Sequence, residues 1–274
     1  MSVNNFIPEL WTGRIFSKLK KSLVFGDVVN RDYEGEIAQA GDTVHINSVG
    51  PVTIGSYTKN VTQISPETLN DAQMSLVITQ SDYFCFEVDD IDQRQAKGSL
   101  LPAGMDQAAY GLRDTADQFI AALHVDASVV SASTPINSLN AYAALLSLSQ
   151  ALDEANVPAE GRWCIIPAWF KTKLVLAKVL VENTSNEAFD NGKVGRCAGF
   201  DLRASNNVAN DGTDYYIMAG TNRAITFVDQ INKVEAFRPE SAFSDAVKGL
   251  HLYGAKVVDP DCLAVLDATE AAEP

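Results

Sequence analysis

The sequence predicts an α+β fold with a long front portion that has little support of its own, and three observations lead to this prediction. Residues 41–88 alternate apolar and polar side chains in two runs around a polar tip. A helical pattern then runs over 106–127, and shorter helices and strands follow it. An isolated hairpin is marginal in water because it cannot bury its own apolar face. We therefore expect that face to lie on another copy of the chain.

Composition places the chain among folded proteins. Hydrophobic residues make up 46% of its 274 residues and charged residues 20%, as in ordinary globular domains. No apolar run approaches the roughly 20 residues that span a bilayer, so we expect no membrane partner. The net charge of −14 argues against broad electrostatic binding to nucleic acid. Residues 1–31 differ, with five basic and two acidic side chains.

The first 40 residues are predicted to form an extended arm with isolated apolar anchors. Residues 8–25 have the pattern of a short amphipathic helix, which Gly26 ends. Large aromatic side chains often carry the binding energy of interfaces. The arm therefore supplies four candidate contacts with a neighbouring copy, namely Phe6, Trp11, Phe16 and Phe25.

The next segment is predicted to be one long two-stranded hairpin over 41–88. Its first run begins at Val44, and its second run carries two groups of alternating apolar residues. Between the runs lies a tip rich in glycine, proline and polar residues, which is typical of a hairpin end. The alternating residues of the second run are Met74, Leu76, Ile78, Phe84, Phe86 and Val88.

The helix over 106–127 is predicted to be a rod of roughly 33 Å, at about 1.5 Å per residue. Its apolar stripe is Leu112, Ala116, Phe119 and Leu123. Four aspartates are assigned to its polar face, Asp106, Asp114, Asp117 and Asp126.

A compact α/β unit follows the rod. A helix from Ser138 to about 155 and a helix opened by Pro167 flank a strand at 163–166. Residues 182–197 are polar and are predicted to be a surface loop. The remaining predicted strands are 200–204, 215–218, 224–228, 234–237, 249–258 and 263–266.

The chain carries no recognisable catalytic motif. Phosphate-binding glycine loops, dinucleotide fingerprints, zinc-protease motifs and nucleophile elbows are all missing from the sequence. Its four cysteines have no CxxC spacing and read as buried core thiols. The acidic cluster at 89–92 lacks the full oxygen set of a calcium loop. We therefore expect that the protein is not an enzyme and binds neither a cofactor nor a metal ion.

Several segments resemble the major capsid proteins of tailed bacteriophages. The resemblance lies in residues 4–11, 29–36, 40–44, 88–92, 111–117 and 249–258, in this order. It implies the Hong Kong 97-like fold. The implied parts are an N-terminal arm (1–40), an extended loop (41–88), a peripheral domain with a spine helix (89–138), an axial domain (139–228) and return strands of the peripheral domain (229–274).

The resemblance also implies a function, that of a structural protein which self-assembles into an icosahedral head and encloses double-stranded DNA without sequence-specific contacts. Hexamers and pentamers of the chain, a separate scaffolding protein, a portal and decoration proteins would be its partners. It would be made in the bacterial host cytoplasm and reside in the virion. One branch of the family crosslinks a loop lysine to a neighbour's asparagine; Lys59 is the lysine at this tip, and no motif identifies an asparagine partner for it. Lys59 and Asn60 are contact candidates between subunits.

Two alternative readings stay open at this point. An encapsulin-like shell, built on the same fold, would enclose cargo enzyme in a cell. A soluble α/β enzyme with dispersed active-site residues belongs to a different class, and a compact monomer in solution would favour it.

Overall fold

The computed structural model describes residues 23–33, 43–49, 53–59, 71–89, 100–177, 193–240 and 244–273. Within these ranges the chain forms twelve strands, which are arranged in three sheets, and three α-helices. The helices are α1 (Leu100–Ala121), α2 (Ala141–Glu154) and α3 (Ala168–Leu176). The strands are β1 (Thr43–Val49), β2 (Asp71–Val77), β3 (Gln80–Asp89), β4 (Val129–Val130), β5 (Thr134–Ile136), β6 (Trp163–Ile166), β7 (Lys193–Cys197), β8 (Phe200–Ala204), β9 (Asp214–Gly220), β10 (Ile225–Phe237), β11 (Ser244–Val257) and β12 (Leu263–Glu270).

A seven-stranded mixed sheet carries the main core. Its strands follow the order β4-β12-β9-β6-β8-β7, and β5 also pairs with β12. All four residues of β6 are buried, as expected for a central strand whose two faces are both covered. Helix α2 contacts β12 and α3, and its buried side chains are Ala141, Ala144, Leu145, Leu148 and Leu152.

A three-stranded antiparallel sheet, in the order β10-β11-β3, lies under the long helix α1. Met105 and Ala109 of α1 pack against Val234 and Val247, together with the apolar side chains of β3. Helix and sheet come close at Gly104, where a Cβ atom would lie 2.7 Å from the ring of Phe86. Glycine therefore permits this helix to rest on an aromatic layer.

Strands β1 and β2 form an antiparallel ladder from Thr43 opposite Val77 to Val49 opposite Asp71. The apolar side chains of this hairpin base pack on Val228 and Leu252 of the chain's own β10 and β11. Those side chains are Val44, Ile46, Leu76 and Ile78. The expectation that the alternating segment lies on another copy is therefore wrong for the hairpin base, because the chain covers that face itself.

The second alternating run serves two sheets instead of one hairpin. Strand β2 pairs with β1, but β3 pairs with β11 over the whole range Gln80–Asp89. Alternation continues almost unbroken from β2 into β3, so the pattern alone hides the change of partner. The hairpin is consequently shorter than the predicted 41–88.

The last 46 residues also divide between two sheets. Strand β11 returns to the three-stranded sheet, but β12 pairs antiparallel with β9 inside the seven-stranded sheet. Within 229–274, predicted to be return strands of the peripheral domain, Leu263–Glu270 thus belongs to the seven-stranded sheet.

Local boundaries differ in smaller ways. The long helix is confirmed, but it spans Leu100–Ala121 and ends in a 3₁₀ turn at Ala122–Asp126. Part of the predicted loop at 182–197 is strand β7, and residues 182–192 lie outside the described ranges. The predicted helix at 8–25 is described only from residue 23, where the backbone forms bends.

Candidate assembly surfaces

The base of the arm lies on its own subunit. Leu23, Phe25, Val28 and Val29 are buried in the main core. Asn30 continues this contact by a parallel bridge to β10, with its N–H donating to the Ile225 oxygen at 2.9 Å. The expectation for Phe25 needs correction, because a side chain that is 1% exposed offers no surface to a neighbour.

A buried carboxylate on α1 holds the arm base in place. The backbone N–H of Val24 donates to Oδ2 of Asp117 at 3.0 Å, and that of Gly26 donates to Oδ1 at 3.4 Å. Burial raises the pKa of Asp117 to about 6, and the backbone N–H groups with Arg113 oppose that rise. The helical pattern predicts Asp117 on the polar, exposed face of the helix, and this prediction is wrong because the arm base covers the residue.

A second buried charge fixes the arm at Arg31. Its guanidinium lies 2.6 Å from Oδ1 of Asp229, whose side chain is fully buried. On the other side, Nε2 of the buried His251 lies 3.7 Å from Oδ2 of Asp229. The guanidinium also stands 5.4 Å from the ring centre of Phe227. Arm and β10 are thus joined by a charge pair that is largely shielded from water.

The hairpin tip has the opposite character. All of the described tip residues, 53–59, are exposed. Ile54 is 96% and Tyr57 66% exposed, which is unusual for large apolar side chains in a cluster. Lys59, one of the predicted contact residues, is exposed at the same tip. Asn60 lies outside the described residues.

The three-stranded sheet leaves one face open. Helix α1 covers the face of Phe84 and Phe86, so the alternate residues of β3 point away from the helix. Tyr83 on this open face is 79% exposed, and Cys85, expected to be a core thiol, is exposed beside it. They line an open groove of roughly 450 Å³ together with Phe84, Glu235, Lys248, Gly249 and Leu250.

Two kinds of feature, a metal-binding group and a membrane-spanning helix, are not found among the described residues. No group of three or more histidine, cysteine, aspartate or glutamate side chains there has the geometry to hold a metal ion. Among the helices of the described ranges, none is long and apolar enough to cross a membrane. The open groove and the exposed tip are two places where large apolar side chains reach solvent.

Comparison with solved structures identifies the family. The structure named "Mycobacterium phage Che8" is 34% identical over 97% of this chain and 98% of its own, with a TM-score of 0.73. The structure named "Capsid structure of the Cyanophage P-SCSP1u" has a TM-score of 0.71 at 19% identity, covering 92% of this chain and 90% of the other. The chain belongs to the major capsid proteins of tailed bacteriophages. It is a head shell protein, and its structural relatives are shell proteins and not enzymes.

One further likeness to this capsid protein shows the fold alone. The "Crystal structure of virus-like particle from Pyrococcus furiosus" has a TM-score of 0.59 at 14% identity, covering 96% of this chain and 100% of the other. No protein-family profile matches the chain. No curated protein matches it either.

The sequence predicted only some of the residues that anchor the arm of this capsid protein. Phe6, Trp11 and Phe16 lie outside the described residues, so their predicted contacts stay predictions. The anchors Asp117 and Asp229 were missed. In the sequence, neither differs from the other acidic residues. Each is recognised by its partner, which lies nearly 100 positions away for Asp117 and nearly 200 for Asp229.

Proposed function

We propose that copies of this capsid protein form the hexamers and pentamers of an icosahedral head that encloses double-stranded DNA. In this proposal, the hairpin tip of each copy docks on the open face of the three-stranded sheet of its neighbour. The observation that carries the proposal is that the described residues of one chain include two exposed apolar surfaces, the tip and the groove.

The proposed docking brings an exposed apolar tip onto an open, largely apolar groove. Ile54 and Tyr57 project from the tip, and the groove beside Tyr83 is a concave, largely apolar site. The groove lies on a sheet whose edge carries carboxylates, among them Glu87, and the tip carries the cation Lys59. Opposite charges at the rim of an apolar contact favour one orientation of docking.

The finer parts of the family pattern belong to the same proposal. The arm anchors Phe6, Trp11 and Phe16 contact a neighbour, and a separate scaffolding protein, a portal and decoration proteins take part in assembly. The net charge of −14 disfavours tight binding of the shell lining to the packaged DNA, so its contacts with the DNA are weak and read no sequence. The protein is made in the bacterial cytoplasm and ends in the virion.

The domain names follow from the same pattern. The part of the chain with α1 and the three-stranded sheet corresponds to the peripheral domain, with α1 as its spine. The part with the seven-stranded sheet corresponds to the axial domain. Support comes from the small apolar cluster that Met105 and Ala109 of α1 form with the three-stranded sheet, which is distinct from the main core.

Electron microscopy of two purified variants tests the docking. Replacing Ile54 and Tyr57 together by serine should leave a folded chain but reduce the yield of closed particles about tenfold or more, since exposed anchors contribute to assembly and not to the fold. Replacing exposed Thr172 by serine is the matched control and should leave the yield unchanged. Normal particles from the tip variant would refute the docking.

The contents of native particles decide between a phage head and a cellular compartment. Nucleic acid inside purified particles is the expected result. A cargo enzyme in its place would support the encapsulin-like alternative, toward which the virus-like particle fold is the only pointer among the solved structures described above.

A further inference from the structure

We infer that the solvent side of α2 is a contact surface for a second copy of this capsid protein. The contact is made by an uncharged stripe, defined as Leu139, Tyr142, Ala143 and Leu146. This inference rests on the proposed function, because it adds one specific surface to the assembly of the shell.

Helix α2 is apolar on two opposite sides. One side is buried in the main core through residues such as Leu145 and Leu148. On the other side Leu139 is 78% exposed, Tyr142 38% and Leu146 45%. Tyr142, Ala143 and Leu146 lie on one face of the helix, and Leu139 stands in the turn just before its first residue. A surface helix normally carries polar and charged residues there, and α2 departs from that rule.

The stripe is also free of charge. Residues 139–152 contain no aspartate, glutamate, lysine or arginine, in a chain with 21 basic and 35 acidic residues. Copies with a net charge of −14 repel one another wherever their acidic surfaces meet. An uncharged apolar face is a place where such copies can approach without that repulsion.

Among the described charged residues of α2 and its contacts, several flank the stripe at its two ends. Asp153 and Glu154 follow it at the end of α2. At its start, Glu273 accepts a hydrogen bond from the Ser138 N–H at 3.2 Å and lies 2.7 Å from Nζ of Lys173. An apolar centre with a polar rim is the usual anatomy of a protein interface.

The same features select the occupant. A basic or acidic partner of another kind would be held by complementary charge, and the stripe supplies none along its length. Contiguous exposed apolar patches of a few hundred Å² mark interaction sites on soluble proteins. In a shell built from many copies of one chain, the surface that most often meets this stripe is another copy.

A charge placed in the stripe tests the contact. Leu146→Glu should reduce the fraction of chain in particles by about tenfold or more, because an unpaired charge is costly to desolvate in an interface. Leu139→Glu is a second variant at a position too exposed to disturb folding. Gln107→Glu adds the same charge to the exposed side of α1 and should assemble as wild type does. Circular dichroism and thermal unfolding should match among all three variants.

A photo-activated crosslinker at position 142 identifies the occupant directly. In assembled particles it should join two copies of the chain, and peptide mass spectrometry should locate the second attachment site. Crosslinks exclusively to another protein, or wild-type assembly of both glutamate variants, would overturn the inference while leaving the proposed function intact. If wild-type chain formed no particles under any condition, the proposed function and this inference would fail together.

Discussion

The backbone N–H of Val24 donates to the carboxylate of Asp117 at 3.0 Å, although 93 positions separate the two residues. Gly26 donates to the other oxygen of the same carboxylate at 3.4 Å. A turn in the arm base thereby finds its hydrogen-bond acceptor on the long helix α1. This relationship ties the arm base to the body and leads to the first two predictions.

Replacing Asp117 by alanine should lower the free energy of unfolding by about 2 kcal/mol at neutral pH. Buried N–H groups that lose their acceptor cost about 1–3 kcal/mol each, and removal of the buried charge offsets part of that cost. Asp114→Ala on the same helix is the control, because it removes only a solvent-exposed hydrogen bond from Gln118. Denaturant unfolding measures both variants. Equal losses would contradict the anchoring role of Asp117.

The stability that Asp117 contributes should depend on pH. Burial raises its pKa from 3.8 to about 6, so the folded chain keeps this proton at pH values where the unfolded chain has lost it. The contribution is complete below the unfolded pKa and is lost as pH rises through the folded one. Between about pH 5 and 7.5 the loss should amount to roughly 1–1.5 kcal/mol.

The non-titrating variant Asp117→Asn isolates this effect from the other carboxylates. The difference in unfolding free energy between wild type and variant should shrink as pH rises over that range. A difference that stays constant would show that Asp117 does not titrate there.

Local patterns predicted many elements of this capsid protein well. The strands Trp163–Ile166 and Phe200–Ala204 lie where they were predicted, because a short apolar run between turn-forming residues determines a strand locally. The long helix was also predicted, since 22 residues of one period leave little ambiguity.

Those local patterns did not predict which residues distant in the sequence come together in the fold. The alternation of β2 and β3 is nearly continuous, yet one pairs with β1 and the other with β11. Helical period assigns Asp117 to the polar face, but the arm base covers that position. Phe25 fits an interface and a core equally well by residue type. In each case the partner in space decides, and sequence distance conceals that partner.

Gly249→Ala should destabilise the three-stranded sheet by about 1–3 kcal/mol, the range for forcing extra volume into a packed core. Gly249 lies opposite Phe84, and a Cβ there would stand 2.3 Å from a ring carbon. The ring has little room to move, because it packs beside Phe86 with centres 6.2 Å apart.

A second substitution separates this clash from a general effect of alanine. The double variant Gly249→Ala with Phe84→Leu should be more stable than the two single losses predict, because the smaller side chain relieves the clash. Gly111→Ala, at an exposed helical site with nothing within 4 Å, should be neutral or stabilising by about 0.5–1 kcal/mol. Additive losses in the double variant would refute the proposed contact.

Replacing Arg31 by alanine should cost about 3–5 kcal/mol, the range for breaking a buried charge pair and leaving one charge uncompensated. Its partner Asp229 is fully buried, so water cannot take the place of the guanidinium. Arg203→Ala is the control, since its partner Asp27 is a quarter exposed and the pair is 3.3 Å apart. The control should lose about 1 kcal/mol or less.

The buried charge pair between Arg31 and Asp229 also predicts how a double variant behaves. Arg31→Ala combined with Asp229→Asn should recover part of the stability lost in Arg31→Ala, because no uncompensated carboxylate remains. Denaturant midpoints provide the comparison. A double variant that is less stable than Arg31→Ala would show that Asp229 contributes through its other contacts.

Two truncations should separate folding from assembly within the arm. Removing residues 1–22 keeps Leu23, Phe25 and the anchors of Asp117, so the remaining chain should fold with nearly unchanged stability. It should form no closed particles if Phe6, Trp11 and Phe16 contact neighbours.

Removing residues 1–29 also takes away four buried side chains, Leu23, Phe25, Val28 and Val29. Since each large buried apolar side chain contributes about 1.5–3 kcal/mol, the longer truncation should fail to fold. Thermal unfolding and electron microscopy of both products give the two readouts. Normal particles from the shorter truncation would refute the role of the arm in assembly, whereas a folded product of the longer one would refute the structural role of its base.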